Sequence, residues 1–527
     1  MKSRGEKIAD GVWTALAAAW LAVFPLWQTG SYTCITRAKW EGMLLLTGIT
    51  VLAALVVCVL CLVAERRLPF HWHAGQGWML GYFALLGLAA LFGAYHNQRN
   101  ANGQWCVWLG SKRYEGMATQ LCYMGVCLVM SLRRPKWRWV LHLCAVSLAL
   151  QCAVAFAQYA GCNPLGLFPA GLSTRTNYEF QGTIGNIDMV SGYLSLVVPL
   201  LMGNFAASRR GGWDWLLAGL AGSLWTFCME VQSGLIALAL GAGLLVLWMF
   251  RCPPVRVRGM MILSGLALCF AARKMIAFPW LDGVQDVCFT GFGGGSVLLL
   301  GLSVALAALA IMLHRHTGRT WPIAGVAAFA LAALAAGTVL LLLLPLDERF
   351  GGLWELREVL LGRGQDSFGS YRLGVWRQTL QMAGKHLWLG NGPGTFWFAF
   401  AEHLSQAGVS FPERFDAPHN EYLAILANAG LPALLTYVAL LLCVMAGCLR
   451  AANRKQRSFC GAAALLGALL CYTAQGMFSF SICLVSPMFW AALGLAMAES
   501  VSGSGTGRAD RRLCGRNRIR TAAHPKD

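Results

Sequence analysis

The chain has 527 residues, of which 57% are apolar and 12% are charged, whereas an ordinary soluble domain carries about 25% charged residues. This deficit excludes a soluble or once-anchored protein, because too little polar surface remains to face water. The formal net charge of +19 does not indicate a nucleic-acid partner, since the basic residues form short clusters between apolar runs rather than a stripe interleaved with aromatic residues.

Apolar runs of about 20 residues, the length that crosses a hydrocarbon core of about 30 Å, recur along the chain. They predict an all-α polytopic membrane protein with about fourteen transmembrane helices, or at least about twelve. The predicted spans lie near 11–27, 42–64, 76–95, 117–131, 137–157, 186–205, 213–229, 233–250, 258–273, 292–313, 321–346, 420–449, 459–478 and 483–500.

These spans divide the chain into four predicted regions. Residues 1–346 hold the first eleven spans, and residues 347–419 form a large external loop carrying short helices. Residues 420–500 hold the last three spans, and residues 501–527 form a basic cytoplasmic tail. A connection longer than about 15 residues is usually functional or disordered. Because the loop contains helix-like and aromatic runs, we expect it to be folded and to carry the site.

Basic clusters fall on one side of the predicted membrane when the amino terminus is cytoplasmic. They comprise Arg66 and Arg67; Arg133, Arg134, Lys136 and Arg138; Arg209 and Arg210; Arg251, Arg256 and Arg258; Arg315 and Arg319; and Arg450, Arg454, Lys455 and Arg457. Since Lys and Arg accumulate in cytoplasmic loops, we expect both termini to be cytoplasmic. The clearest exception is the pair Lys112 and Arg113.

Three elements in the long loop carry polar chemistry. Arg372 stands near the start of a predicted helix, and Gly390, Gly392 and Gly394 belong to a glycine-rich turn that would let backbone approach a ligand closely. His419 precedes a long apolar helix, whose amino end favours an anion and disfavours a charged imidazole. Each element also has a structural interpretation: a solvated arginine, a simple turn and a helix cap.

Together these elements resemble the O-antigen ligase and polymerase family of bacterial envelope glycan enzymes. The matching stretches are Arg372-x-x-x-Trp376, Leu389 to Phe396, His419-Asn420-x-Tyr422-Leu423 with Gly430-Leu431, and the earlier Gly182 to Asn186, after which Ile187-Asp188 stands where the family usually has Pro-Asn. The order and spacing of the motifs are fairly specific. They cover the second half of the chain well and the first half through hydropathy and one motif.

The resemblance implies glycan transfer from a polyprenyl diphosphate carrier to an acceptor hydroxyl at the outer face of the cytoplasmic membrane. The acceptor would be a glycan, a lipid or another envelope component, and no nucleotide sugar, metal or other cofactor is implied. Arg372 looks like the family arginine that holds the diphosphate, because a guanidinium fork suits phosphate oxygens, and His419 looks like the catalytic histidine. Arg377, Asn186, Asn420 and the three glycines of the turn are expected to bind substrate.

One departure from the family pattern concerns a Ser-Arg-Gly-like motif. Here Val231-Gln232-Ser233-Gly234 contains no arginine. Either a second phosphate-binding arginine is missing, or Arg175 replaces it.

Other functions remain open at this stage. A transporter or lipid flippase would place ionisable residues inside the membrane, and the centres of the predicted spans are nearly free of charge. A non-catalytic envelope scaffold would not require the three loop elements together. Cys58 and Cys61 form a C-x-x-C pair without a matching second pair, so a metal site has little support. The sequence does not separate a ligase from a polymerase, since both use the same kind of donor.

Overall fold

The computed structural model describes residues 4–66, 72–169, 178–314, 323–454 and 461–501. Arg175 and the tail beyond residue 501 lie outside the described residues. Helices dominate the described chain, as the sequence predicts.

The amino-terminal helices are α1 (Arg4–Ala18), α2 (Phe24–Leu26), α3 (Ile35–Glu65), α4 (Ala74–Phe92), α5 (Cys106–Leu109), α6 (Met117–Ser131) and α7 (Trp137–Tyr159). The middle helices are α8 (Ile187–Ala207), α9 (Trp213–Met229), α10 (Gln232–Arg251), α11 (Arg256–Met275), α12 (Pro279–Asp282), α13 (Gly294–His314) and α14 (Ile323–Leu343). The carboxy-terminal helices are α15 (Gly352–Leu360), α16 (Arg372–Lys385), α17 (Phe396–Ala407), α18 (Glu421–Arg454), α19 (Gly461–Gln475) and α20 (Ser486–Val501).

Short elements join these helices. A π-helical turn (Ala19–Val23) links α1 to α2, and 3₁₀ turns lie at Tyr32–Cys34, Pro253–Val255, Glu348–Phe350 and Gly476–Phe478. Two antiparallel two-residue ladders pair β1 (Phe180–Gln181) with β2 (Gly185–Asn186), and β3 (Ile276–Ala277) with β4 (Cys288–Phe289). The first ladder ends at the residue before α8.

Ten helices among the described residues are long and apolar enough to cross a membrane. This confirms the all-α polytopic membrane fold. The predicted count of fourteen is not confirmed. Two predicted spans, for example, form helices of 17 and 16 residues, α9 and α20, which are shorter than the roughly 20 residues a perpendicular span requires.

Helix α8 lies in the interior of the bundle, between α9 and α19. Its side chains Tyr193, Leu196 and Leu200 are fully buried. At the periphery, by contrast, Leu298 on α13 is 76% exposed, as is usual for a side chain that faces lipid rather than protein. The amino end of α8 therefore holds its residues in a fixed position inside the bundle.

The segment 347–419 folds against the first half of α18. An apolar cluster joins Val375 and Met382 of α16, Phe396 and Phe400 of α17, and Leu426 of α18. Burial of each such side chain contributes about 1.5–3 kcal/mol relative to exposure. Helices α16 and α17 of this segment are thus packed against α18.

Candidate active site

A β-hairpin positions the start of α8. Its turn is held from α7, because the side-chain oxygens of Gln158 and Gln151 accept the backbone N–H groups of Gly182 and Thr183, each at 2.9 Å. Gly182 has a φ of +58°, which a glycine adopts without the steric cost of a side chain. The Gly182 to Asn186 motif therefore builds a rigid entry to α8.

Asn186 caps α8 and thereby places Asp188. Its Oδ1 accepts the backbone N–H of Asp188 at 3.0 Å, which satisfies one of the free donors at the helix start. Asp188 lies in the first turn, where the helix dipole favours a carboxylate. Asn186, expected to bind substrate, has its side-chain oxygen occupied as a cap.

Arg372 reaches Asp188 from α16. Its Nη2 lies 3.4 Å from Oδ2 of Asp188, and both side chains are mostly buried. Ser370 and Tyr371, directly before Arg372, have φ values of 56° and 66°. Two successive left-handed residues without glycine store backbone strain, which proteins commonly retain at functional sites.

Trp376 joins α16 to the segment before α18. Its indole N–H donates to the carbonyl of Pro418 at 2.8 Å, one residue before His419. From the same helix, Arg372 therefore contacts Asp188 and Trp376 donates a hydrogen bond to the backbone beside His419. This relationship explains why the two residues stand four apart.

His419 completes a cluster with Asp188 and Arg372, hereafter the central cluster. Its Nδ1 lies 3.8 Å from Oδ2 of Asp188, too far for a hydrogen bond. This nitrogen is fully enclosed and has no hydrogen-bond partner among the described residues. The backbone φ of His419 is 49°, an uncommon left-handed value for a residue other than glycine. Strain and an unsatisfied buried atom thus coincide at one residue.

The surroundings of His419 keep the imidazole neutral. Its ring packs edge-on against Phe480 and Phe415, with centroid distances of 5.0 and 6.2 Å. Burial lowers the pKa of His419 to about 3, and the positive charges of Arg372 and Arg113 contribute to the decrease. A neutral imidazole keeps a lone pair with which to accept a proton.

Sequence reasoning missed two site residues, Asp188 and Arg113. Arg113 comes from the segment between α4 and α6, pairs with Asp416 at 2.9 Å, and lies 4.9 Å from the ring centroid of Phe480. Since Phe480 also contacts His419, a second guanidinium lies beside the central cluster. One feature of the sequence could have pointed to Arg113. It is a basic residue on the predicted external side of the membrane, whereas the other basic clusters lie on the cytoplasmic side.

Glu115 fixes the backbone that carries Arg113. Its Oε2 accepts the backbone N–H of Arg113 at 2.9 Å, and burial raises the pKa of Glu115 to about 7. Arg113 and Glu115 line a cavity of about 80 Å³ together with Asp416, Pro418 and Gly394. The glycine-rich turn thus meets the Arg113 segment at this small cavity.

The glycines of that turn are fitted into the protein scaffold. A Cβ on Gly390 would lie 2.5 Å from the backbone of Ala429, and one on Gly394 would lie 2.7 Å from the carbonyl of Cys106. The N–H of Gly392 donates to the carbonyl of Asn428 at 2.9 Å. Close backbone packing against α18 and the α4–α6 connection explains glycine at positions 390 and 394, and Gly392 has a φ of 112°, a backbone conformation that favours glycine.

The other predicted site residues have separate places. Arg377 pairs with Asp366 at 2.6 Å, and each side chain is about half exposed (52% and 51%). The side-chain oxygen of Asn420 accepts the N–H of Leu423 at 3.1 Å and so caps α18. Arg175 lies outside the described residues. Of the predicted residues, the structure brings Arg372 and His419 together, with Asp188 between them.

The departure from the Ser-Arg-Gly-like motif also has a structural setting. Ser233 lies against α8, with its hydroxyl 3.2 Å from that of Ser191. A Cβ on Gly234 would lie 2.8 Å from the hydroxyl of Ser191. Two buried serines pair at this position, and the second cation near the central cluster is Arg113.

A comparison with known protein families gives a match within the second half of the chain. Residues 287–438 match the family model Wzy_C, described as O-antigen ligase. This stretch includes Arg372, the glycine-rich turn and His419, while Asp188 and Arg113 lie before it. No curated protein matches the chain. By its many apolar helices the protein is a multi-pass membrane protein, and its residues 287–438 match the O-antigen ligase family.

Proposed function

We propose that the protein transfers a glycan from a polyprenyl diphosphate carrier to an acceptor hydroxyl. The observation that carries this proposal is the central cluster, in which a guanidinium, a carboxylate and a neutral imidazole from three distant segments meet at a membrane helix end. The family match supports envelope glycan transfer of the ligase or polymerase type in general. The carrier, the absence of a metal and the roles below belong to the proposal.

Arg372 and Arg113 hold the diphosphate of the donor. Guanidinium groups bind phosphate oxygens through paired N–H donors, and two of them offset the charge that develops on the leaving group. Among the described residues, the polar contact of the Arg372 guanidinium is a long one with Asp188, at 3.4 Å, so its remaining N–H donors can bind a ligand. Arg113 supplies the second cation that the Ser-Arg-Gly-like position lacks.

His419 accepts the proton of the acceptor hydroxyl. The acceptor oxygen forms a bond to the anomeric carbon as the bond from that carbon to the diphosphate oxygen breaks. Polyprenyl diphosphate leaves with the bonding electron pair, and the hydroxyl proton passes to Nε2 of His419. Asp188 faces Nδ1 and stabilises the imidazolium, in the way a buried acid orients a catalytic histidine.

The proposed location is the cytoplasmic membrane, with both termini cytoplasmic and the central cluster at the outer face. The basic clusters favour this orientation. Its substrates there would be the lipid-linked glycan and a glycan, lipid or other envelope acceptor.

The decisive experiment incubates the purified full chain with a defined polyprenyl diphosphate oligosaccharide and a candidate acceptor, with and without a metal chelator. We expect transfer that the chelator does not reduce. Arg372→Lys keeps the charge but loses the fork, so we expect a loss of about 10²- to 10³-fold. Arg377→Lys is the matched control and should retain activity, since that arginine pairs with Asp366 at the surface.

The product separates the remaining possibilities. A lengthened lipid-linked glycan identifies a polymerase, and transfer to a different acceptor identifies a ligase. Full turnover by Arg372→Lys contradicts the diphosphate role. In cells lacking the protein, lipid-linked glycan accumulating on the inner face would instead indicate a flippase.

A further inference from the structure

A second cavity lies at the other end of α8 from the central cluster. Asp188 is in the first turn of α8, whereas the cavity is lined by Met202 and by Ser208, the residue that follows the helix. Twenty residues of helix span about 30 Å, roughly the thickness of a hydrocarbon core. The cavity therefore belongs to the opposite membrane face. Its volume is about 1970 Å³, larger than the roughly 300–1,000 Å³ of most small-molecule pockets.

The end of this cavity near the membrane surface is strongly basic. Arg134 also lines it, but pairs at 3.2 Å with Glu499, the acidic residue of the lining. The other basic lining residues are Lys136, Arg138, Arg209, Arg210, Arg251 and Arg258. They come from the start of α7, the α8–α9 connection, the end of α10 and the start of α11. Four separate segments thus direct positive charge to one opening.

Several of these cations are available to a ligand. Arg138, Arg209, Arg210 and Arg251 are exposed and form no ion pair with the described part of the chain. Arg258 differs, because it donates to the carbonyls of Phe205 and Gly211 at 3.1 and 2.9 Å. Arg258 therefore fixes the α8–α9 connection, and the exposed arginines supply unneutralised charge.

The part of the cavity wall that extends toward the middle of the membrane is apolar. Val198 of α8, Leu238 and Leu245 of α10, and Leu466 and Leu470 of α19 line it. Leu238 lies thirteen residues before Arg251 on α10, a distance of about 20 Å along the helix. A ligand that fills this space needs a long apolar part and an anionic end.

We propose that this cavity binds an anionic phospholipid of the leaflet opposite the central cluster. Its phosphate would lie among Arg138, Arg210 and Arg251, and its acyl chains along the wall formed by α10 and α19. Basic pockets between transmembrane helices recognise anionic head groups in this way. A soluble anion would leave the apolar wall unfilled, and a zwitterionic lipid would leave the arginines uncompensated.

Binding to the purified full chain tests the proposal, measured by native mass spectrometry and by the shift in thermal unfolding. The probes are phosphatidylglycerol, phosphatidylcholine with the same acyl chains, and inorganic phosphate. We expect phosphatidylglycerol to bind at least about tenfold more tightly than phosphatidylcholine, a difference of about 1.4 kcal/mol. Inorganic phosphate should neither bind measurably nor displace the lipid.

Two variants test the two ends of the cavity. Gly467 lines it and has open space where a Cβ would lie, so Gly467→Phe should fill the apolar part and abolish the preference for phosphatidylglycerol. Gly243 also has open space but does not line the cavity, so Gly243→Phe is the matched control.

The double substitution Arg210→Gln and Arg251→Gln tests the basic end and should reduce the preference for phosphatidylglycerol about tenfold. The control double substitution Arg4→Gln and Arg450→Gln should preserve that preference.

Three results would overturn the proposal. The first is equal binding of the two phospholipids by the unaltered protein. The second is an unchanged phosphatidylglycerol preference in both Gly467→Phe and the Arg210 and Arg251 double variant. The third is displacement of the lipid by inorganic phosphate, which would show an anion site without lipid specificity.

Discussion

The guanidinium of Arg372 lies 3.4 Å from the carboxylate of Asp188, although 184 positions separate them in the sequence. The same carboxylate oxygen faces Nδ1 of His419 at 3.8 Å. Asp188 therefore lies beside both Arg372 and His419. These two residues belong to the stretch 287–438 that matches the family, whereas Asp188 precedes it.

Replacing Asp188 tests whether this acid orients His419. Asp188→Asn keeps the volume but removes the charge that stabilises an imidazolium, so we expect kcat to fall about 10- to 100-fold, as when outer-shell partners are lost. The KM for the donor should change little. Steady-state kinetics on the purified protein measure both values. Asp366→Asn, in the exposed pair with Arg377, is the control, and an unchanged kcat in Asp188→Asn would exclude the orienting role.

Arg113 should contribute mainly to donor binding. Its loss would leave Asp416 without its ion-pair partner, so the informative variant is Arg113→Gln combined with Asp416→Asn. We expect the donor KM to rise about tenfold, with a smaller change in kcat, because a phosphate contact is lost. Lys112→Gln is the neighbouring control, since Lys112 is exposed and lies over the Trp397 ring at 4.2 Å. If the donor KM is the same in the unaltered protein, the double variant and Lys112→Gln, Arg113 does not bind the phosphate.

The pH dependence of kcat/KM should report the depressed pKa of His419. This ratio reflects the free protein, in which burial and two arginines lower the pKa to about 3. A base acts when unprotonated, so protonation of His419 should not reduce kcat/KM between about pH 5 and pH 8, a range that includes the unperturbed value near 6.5. Removing the positive charge of Arg113 should raise the pKa and move the acid limb to higher pH.

Substitution of His419 separates a base from a structural residue. His419→Asn retains hydrogen-bonding ability and tolerates a left-handed backbone, but it cannot take up a proton, so transfer should fall about 10²- to 10⁴-fold. Donor binding, followed separately, should persist. Near-normal transfer by His419→Asn would show that His419 is a structural residue and not the base.

The orientation of the chain can be tested with a membrane-impermeant thiol reagent in intact cells. Gln365 and Ser405 are exposed in the segment 347–419, and Asn453 is exposed at the far end of α18. Cysteines at Gln365 and Ser405 should be labelled, and one at Asn453 should be protected. The background needs the native exposed cysteines removed, which among the described residues are Cys34, Cys162 and Cys288. Labelling at Asn453 alone would reverse the proposed topology.

The sequence by itself determined the membrane class and most helix positions, because crossing a lipid bilayer requires long apolar runs that can be recognised locally. The order of motifs in one loop also predicted Arg372 and His419 as site residues, and the structure places both beside the carboxylate of Asp188. Local composition was less informative about span number, since α9 and α20 are helical but too short to count by length alone.

The tertiary structure alone decided what surrounds those two residues. Asp188 and Arg113 reach the site from the start of α8 and from the α4–α6 connection, and no local periodicity encodes contacts between such distant segments. The structure also explains the glycine-rich turn. Gly390 and Gly394 allow the backbone of the turn to pack closely against the backbone of neighbouring elements. Which residues share a site depended on how α8, α16 and α18 bring their ends together.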